Sequence, residues 1–126
     1  METKKVLEHI TSTLDFKKAT DILVIDMAEK SSFADYFILA SGANERQIDG
    51  LTFAMEEVMM EEGIEPKNIE GKPSSGWILM DYGDIIINVL TEEMRAKYSI
   101  EKVWEDCTFL RDFPRLEEDV PFSKED

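Results

Sequence analysis

Between Asp21 and Asp26 the chain holds a short unbroken apolar run, Ile22 to Ile25, and no other feature restricts the fold so much. Such a run, entered and left through carboxylates, fits a strand covered on both faces better than a surface strand. A second run, Tyr36 to Ala40, follows a polar link over Glu29 to Ser32 and stops at Ser41-Gly42. Trp77 to Met80 and Ile85 to Leu90 give two more strands. Between them Asp81-Tyr82-Gly83-Asp84 reads as a tight antiparallel turn, with Gly83 placed to take a positive φ.

Around these strands lie helical patterns. From Thr3 to about Lys18, Val6, Leu7, Ile10 and Leu14 fall at helical spacing, with Thr3 as N-cap. Asn44 stands three residues before Gln47 in a capping-box arrangement. The segment from Glu45 to Glu62 then carries Ile48, Leu51, Met55, Val58 and Met59 on one stripe, and Gly63 supplies the stop. Thr91 caps a last helix expected from Glu92 to about Trp104. The link from Ile64 to Ser75, with two prolines and Gly71, reads as loop with a short extended piece around Ile69. The order is α-β-β-α-β-β-α: a single α/β domain with a mixed β-sheet flanked by helices, since short links make hairpins and a helix between strands allows a crossover. Residues 1–107 form this domain, and 108–126 read as an acidic, flexible tail.

A chain of 126 residues with 43% apolar side chains suits one domain that hides about two-thirds of its unfolded surface. It carries 28 acidic and 14 basic side chains, a formal net charge of −14. That charge repels phosphate backbones and anionic headgroups, so little direct nucleic-acid binding and no membrane binding are expected. An acidic surface favours instead a basic protein partner, a cation, or simple solubility. With no signal-type apolar segment after Met1 and one cysteine, Cys107, the expected location is the cytoplasm.

The candidates for chemistry are sparse. His9 is the single histidine and lacks the companions that a zinc site needs, so a solvated helix histidine is the expectation. Cys107 has no activating group nearby. Asp81 and Asp84 flank the hairpin turn, and Asp26 and Asp35 lie at or near the ends of other runs, so these acids could gather at one sheet edge around a divalent ion. That chemistry also wants a glycine-rich phosphate cradle, and Ser41-Gly42-Ala43-Asn44 supplies one glycine with only Arg46 nearby. Turn acids also serve local backbone hydrogen bonds. Trp77, Tyr82, Tyr98 and Trp104, with Leu79 and Met80, cluster in sequence around the hairpin and the last helix, as a protein interface or as core. Alternation puts Trp77 and Leu79 on one face and Ile78 and Met80 on the other.

Four stretches carry a resemblance: Ser32-Phe33-Ala34-Asp35-Tyr36-Phe37-Ile38; Ser41-Gly42 with Arg46-Gln47; Gly76-Trp77-Ile78-Leu79-Met80-Asp81-Tyr82-Gly83-Asp84; and Glu93-x-Arg95-x-x-Tyr98-x-Ile100-Glu101-x-Val103-Trp104. In order and spacing, from about Asp21 to Trp104, they resemble the ribosomal silencing factor family, also called the Iojap or YbeB-like family. The resemblance implies a nucleotidyltransferase-like fold with no transferase activity and no cofactor. It implies binding to the large ribosomal subunit through a basic ribosomal protein of the L-fourteen type, blocking the small subunit from joining. It also implies a homodimer when free. Three positions depart from the family pattern: Asn88 stands where members often carry histidine, Glu92 where proline is usual, and Lys97 where Phe or Tyr is common.

The resulting expectation is a docking surface of Trp77, Leu79, Asp81, Tyr82 and Asp84 from the hairpin with Glu93, Arg95 and Tyr98 from the last helix. Aromatic and aliphatic groups would anchor it, and carboxylates would pair with lysine or arginine. The competing readings are a metal-dependent nucleotidyl or phosphoryl transferase using Asp81, Asp84 and Asp35, and an acidic dimeric adaptor for another basic protein.

Overall fold

The computed structural model describes residues 3–28, 32, 34–100, 102 and 107–110. In chain order the elements are α1 (Thr3–Phe16), β1 (Thr20–Asp26), β2 (Tyr36–Gly42), α2 (Glu45–Glu61), β3 (Asn68–Lys72), a short 3-10 turn (Pro73–Ser75), β4 (Trp77–Asp81), β5 (Ile85–Thr91), α3 (Glu92–Tyr98) and β6 (Thr108–Leu110). The six strands form one sheet in the order β3-β4-β5-β2-β1-β6. β2 and β5 pair in parallel, with Tyr36 opposite Ile85 and Gly42 opposite Thr91, and every other neighbouring pair is antiparallel. The sheet is therefore mixed, as the connections require: β2 returns to β5 only after α2 and the β3–β4 hairpin.

The side-chain period of two divides the interior between two faces. Val24, Ile38, Ile78, Met80, Ile85, Ile87 and Val89 meet Val6, Ile10 and Leu14 of α1 and Ile48, Leu51, Met55 and Met59 of α2 in one core. On the opposite face Leu23, Ile25, Phe37, Leu39, Ile86 and Leu90 gather with Ile100, and Trp77, Leu79, Met94 and Phe109 pack against them only partly buried. Trp77 and Leu79 thus share a face opposed to that of Ile78 and Met80, as alternation indicates.

The start of α2 departs a little from a reciprocal capping box. Asn44 Oδ1 accepts from the Gln47 backbone N–H at 2.9 Å, but Gln47 Oε1 accepts from the Ala43 N–H at 2.7 Å, one residue before the cap. Gln47 also donates to the Lys18 carbonyl at 3.1 Å, which ties this helix start to the end of α1. At the other end His9 lies 2.7 Å from Glu62 and 3.4 Å from Glu61. The expectation of a merely solvated histidine is corrected: its ring bridges α1 to the C-terminal end of α2.

Three boundaries differ from expectation. The helix begun at Thr91 ends at Tyr98, because Ser99 takes a left-handed conformation, φ 46°, instead of continuing toward Trp104, which lies outside the described residues. The extended piece around Ile69 is a full edge strand, β3, whose polar sequence NIEGK hides it. The sheet also continues past residue 107, since Thr108–Leu110 pairs with Asp26–Val24 of β1. The folded unit therefore includes the first residues assigned to the tail; residues 111–126 lie outside the described residues.

Candidate protein-docking face

Two glycines shape the hairpin, and one of them, Gly76, lets α3 approach it. Gly83 takes φ 94° in the β4–β5 turn, where Asp81 Oδ1 accepts from its N–H at 2.8 Å and the Tyr82 N–H donates to the Ile85 carbonyl at 2.9 Å. Gly76, φ 79°, accepts from the Thr91 N–H at 2.9 Å, and a Cβ there would stand 2.8 Å from Met94 Cγ. No larger residue would let α3 come so close to the start of β4. Thr91 then caps α3 through its hydroxyl, which accepts from the Met94 N–H at 3.2 Å.

The result is a half-open aromatic patch. Trp77 and Tyr98 have ring centroids 5.8 Å apart at an angle of 43°, and Tyr98 is 50% exposed. The Trp77 indole N–H donates to Asn88 Oδ1 at 3.0 Å, which fixes the ring over the sheet. Asn88 is fully buried and serves as a polar anchor under the tryptophan. Trp77, Leu79 and Met94, with Glu70, Gly71 and Ser75, line a cavity of about 400 Å³. Glu70 lines this cavity and exposed Glu93 stands on α3, whereas half-buried Asp81 and exposed Asp84 lie at the turn end of the hairpin, since Trp77 pairs with Leu90 and Asp81 with Ile86.

Two expected docking residues are placed elsewhere. Tyr82 is only 7% exposed and packs in the core on the α1/α2 face, because an alternating strand turns residue 82 away from 77, 79 and 81. Burial, and secondarily Glu56, push its hydroxyl up to about 12. Arg95 is 5% exposed and points inward: Nη1 donates to the Asp21 carbonyl and to Ser41 Oγ, each at 2.9 Å, and Nη2 lies 3.4 Å from Asp21 Oδ2. It fastens α3 to β1 and β2. Asp21 itself takes φ 49°, a left-handed backbone that turns its carbonyl out of the regular β1 ladder. Sequence reasoning missed Met94, Glu70 and Asn88, and only Asn88 had a signal, a polar residue within an apolar strand.

The acids of the transferase reading do lie at one end of the sheet. The Asp84 carbonyl accepts from the N–H groups of Asp35 and Tyr36, and Asp26 pairs with Tyr36. Burial, then Asp26 and Asp35, raise the Tyr36 hydroxyl above its usual value. Yet Asp26 Oδ1 accepts from the Ala28 N–H at 3.2 Å and Asp81 from that of Gly83. Among the described residues no three His, Cys, Asp or Glu side chains converge as a metal site. These acids close turns. No helix among the described residues is long and apolar enough to cross a membrane.

Comparison with known proteins agrees with this geometry. A crystal structure of a protein from Chromobacterium violaceum superposes with a TM-score of 0.78 at 28% identity, covering 83% of this chain and 88% of that one. Ribosomal silencing factor RsfS of Halalkalibacterium halodurans is 33% identical over 107 residues, 85% of this chain and 92% of the relative. The mouse protein named mitochondrial assembly of ribosomal large subunit protein 1 is 28% identical over 103 residues, 78% of this chain and 44% of its own length. These relatives are named for silencing and assembly, not for a catalysed reaction. The family model described as ribosomal silencing factor during starvation matches residues 1–126. With the tryptophan hairpin, the capped α3 and the mixed sheet in place, the chain belongs to the ribosomal silencing factor family.

Proposed function

We propose that this protein is a ribosome-associated translational repressor that docks on the large ribosomal subunit through a basic ribosomal protein of the L-fourteen type and excludes the small subunit sterically. The observation that carries this reading is the half-open patch of Trp77, Leu79 and Tyr98, with Glu70 in the lining of its cavity and Glu93 exposed on α3. Buried aromatic anchors supply most of the free energy in protein interfaces, and a surrounding charge of the right sign adds encounter rate and specificity. A ribosomal protein exposed on the subunit is basic, whereas net −14 keeps this chain off bulk RNA. When free, the same apolar ground pairs two copies as a homodimer, which docking replaces. The protein works by occupancy, in the cytoplasm, with no cofactor.

Cosedimentation with purified large subunits tests this. The chain is expected in the pellet, and Asp81→Lys and Trp77→Ala are expected to stay in the supernatant while keeping a cooperative melt. A wild-type chain that remains soluble, or folded variants that sediment as well as wild type, would remove this docking face from the mechanism.

A further inference from the structure

A second surface lies on the other side of the sheet. On the outward side of α2, Phe53, Glu56, Glu57 and Met60 repeat at intervals of three and four, the spacing of one helical face. Phe53 is 61% and Met60 75% exposed, large values for big apolar side chains. With Gly63, Ile64, Glu65, Pro66 and Tyr82 they line a cavity of about 570 Å³, larger than the one beside Trp77. Scattered exposed apolar residues need no explanation, but two that share one concave site with buried Tyr82 beside them do. All ionisable carboxyl-type or basic groups lining the groove are acids: Glu56, Glu57 and Glu65.

We infer that this groove is a second docking site, and that its occupant is a basic amphipathic helix of a partner protein, laying aliphatic side chains on Phe53, Met60 and Ile64 and lysines or arginines on Glu56, Glu57 and Glu65. Charge decides among occupants. A second copy brought face to face would set these glutamates against their own counterparts. The segment Glu117 to Asp126, with five acids and one lysine, carries the same sign as the groove. A basic helix matches both parts of the lining, in the helix-in-groove mode where apolar anchors give affinity and charge gives orientation. The flexible thioether of Met60 adapts to more than one anchor shape. Because the sheet separates this groove from the Trp77 patch, both sites can be filled in one molecule.

The probe is a synthetic Leu/Lys amphipathic peptide of about 18 residues, roughly 27 Å long as a helix, with a Leu/Glu peptide of the same pattern as control. The full chain carries ¹³C-methyl methionine, so that Met60 reports on the groove and Met94 on the α3 face. Expected is saturable movement of the Met60 signal by the Leu/Lys peptide alone, with Met94 unmoved. Phe53→Ser with Met60→Gln, both exposed positions, should weaken binding of the peptide at least about tenfold, read by anisotropy of a labelled peptide, with the melt unchanged. Joint Glu56→Gln, Glu57→Gln and Glu65→Gln should weaken it about threefold to tenfold and flatten its salt dependence. The proposal is overturned if Met94 moves in place of Met60, if the Leu/Glu peptide binds equally well, or if no signal shifts at millimolar peptide. It is overturned equally if Met60 shifts with protein concentration alone, which would place a second copy there, or on deleting Glu117 to Asp126, which would place the tail there.

Discussion

The two faces of the sheet draw on similar residue types and are closed to different degrees. On one, the stripes of α1 and α2 cover β-strand isoleucines and valines completely; on the other, seven-residue α3 leaves Trp77, Leu79 and Met94 half-covered and Tyr98 half-exposed. A long helix with a wide apolar stripe can finish a core, whereas a two-turn helix held by one arginine can only frame a surface. One side of the sheet is thereby a closed core and the other is left half-open.

That division can be broken most directly at the closed face. Leu51→Ala, at a position 1% exposed, is expected to cost about 2–5 kcal/mol by urea denaturation, a large part of the total for a domain of this size. A cost below about 1 kcal/mol would mean that the α2 side does not hold the fold. Next comes Arg95→Met, which keeps most of the volume but removes the hydrogen bonds to Asp21 and Ser41. A loss of about 1.5–3 kcal/mol is expected, with faster amide exchange confined to α3 and β1. Exchange rising equally in α2 would mean that the two faces are not separable.

At the open face the effects should move from stability to binding. Tyr98→Ala should change stability by about 0.5 kcal/mol or less yet weaken large-subunit binding by about 2 kcal/mol, some thirtyfold. Asp84→Lys, at an exposed position in the β4–β5 turn, should slow association severalfold at low salt and lose that effect as salt rises. At neutral pH the smallest effect belongs to Tyr82, whose hydroxyl sits at about 12 in the fold against 10.0 ordinarily. Above about pH 10 the unfolded chain releases a proton that the folded chain keeps, so this group's contribution falls between pH 10 and about 12. Tyr82→Phe should flatten that limb of a stability–pH curve and leave neutral pH unchanged.

The sequence showed the architecture wherever periodicity and caps agreed. Asn44 with Gln47 and the stripe from Ile48 to Met59 located α2 nearly to the residue, and Gly83 marked the turn. β3 escaped because an edge strand needs few apolar side chains, and Ile69 alone packs on the core. The early end of α3 escaped because a left-handed Ser99 has no strong composition signal. On the proposed docking face, the shared side of Trp77 and Leu79 was legible from strand alternation, and their nearness to Tyr98 from aromatic density. Tyr82 was misplaced although the alternation that separates Trp77 and Leu79 from Ile78 and Met80 also puts residue 82 on the core face. Arg95 was misplaced because charge predicts exposure, and only tertiary structure reveals the Asp21 carbonyl that draws it inward. Phe53 and Met60 fall off the α2 stripe and went unread in the sequence, because what they line is not encoded locally.

The parallel pairing of β2 with β5 sets how the molecule can assemble in time. Ile38 faces Ile87 across that seam, about fifty positions apart along the chain, while the flanking hairpins β1–β2 and β3–β4–β5 join near neighbours. Each flank can form early from local contacts, but the central seam requires closing a long loop first, with α2 forming inside it. The topology therefore predicts that the slow step in folding is the meeting of two half-sheets, with α2, which packs on both β2 and β5, docking in the same step.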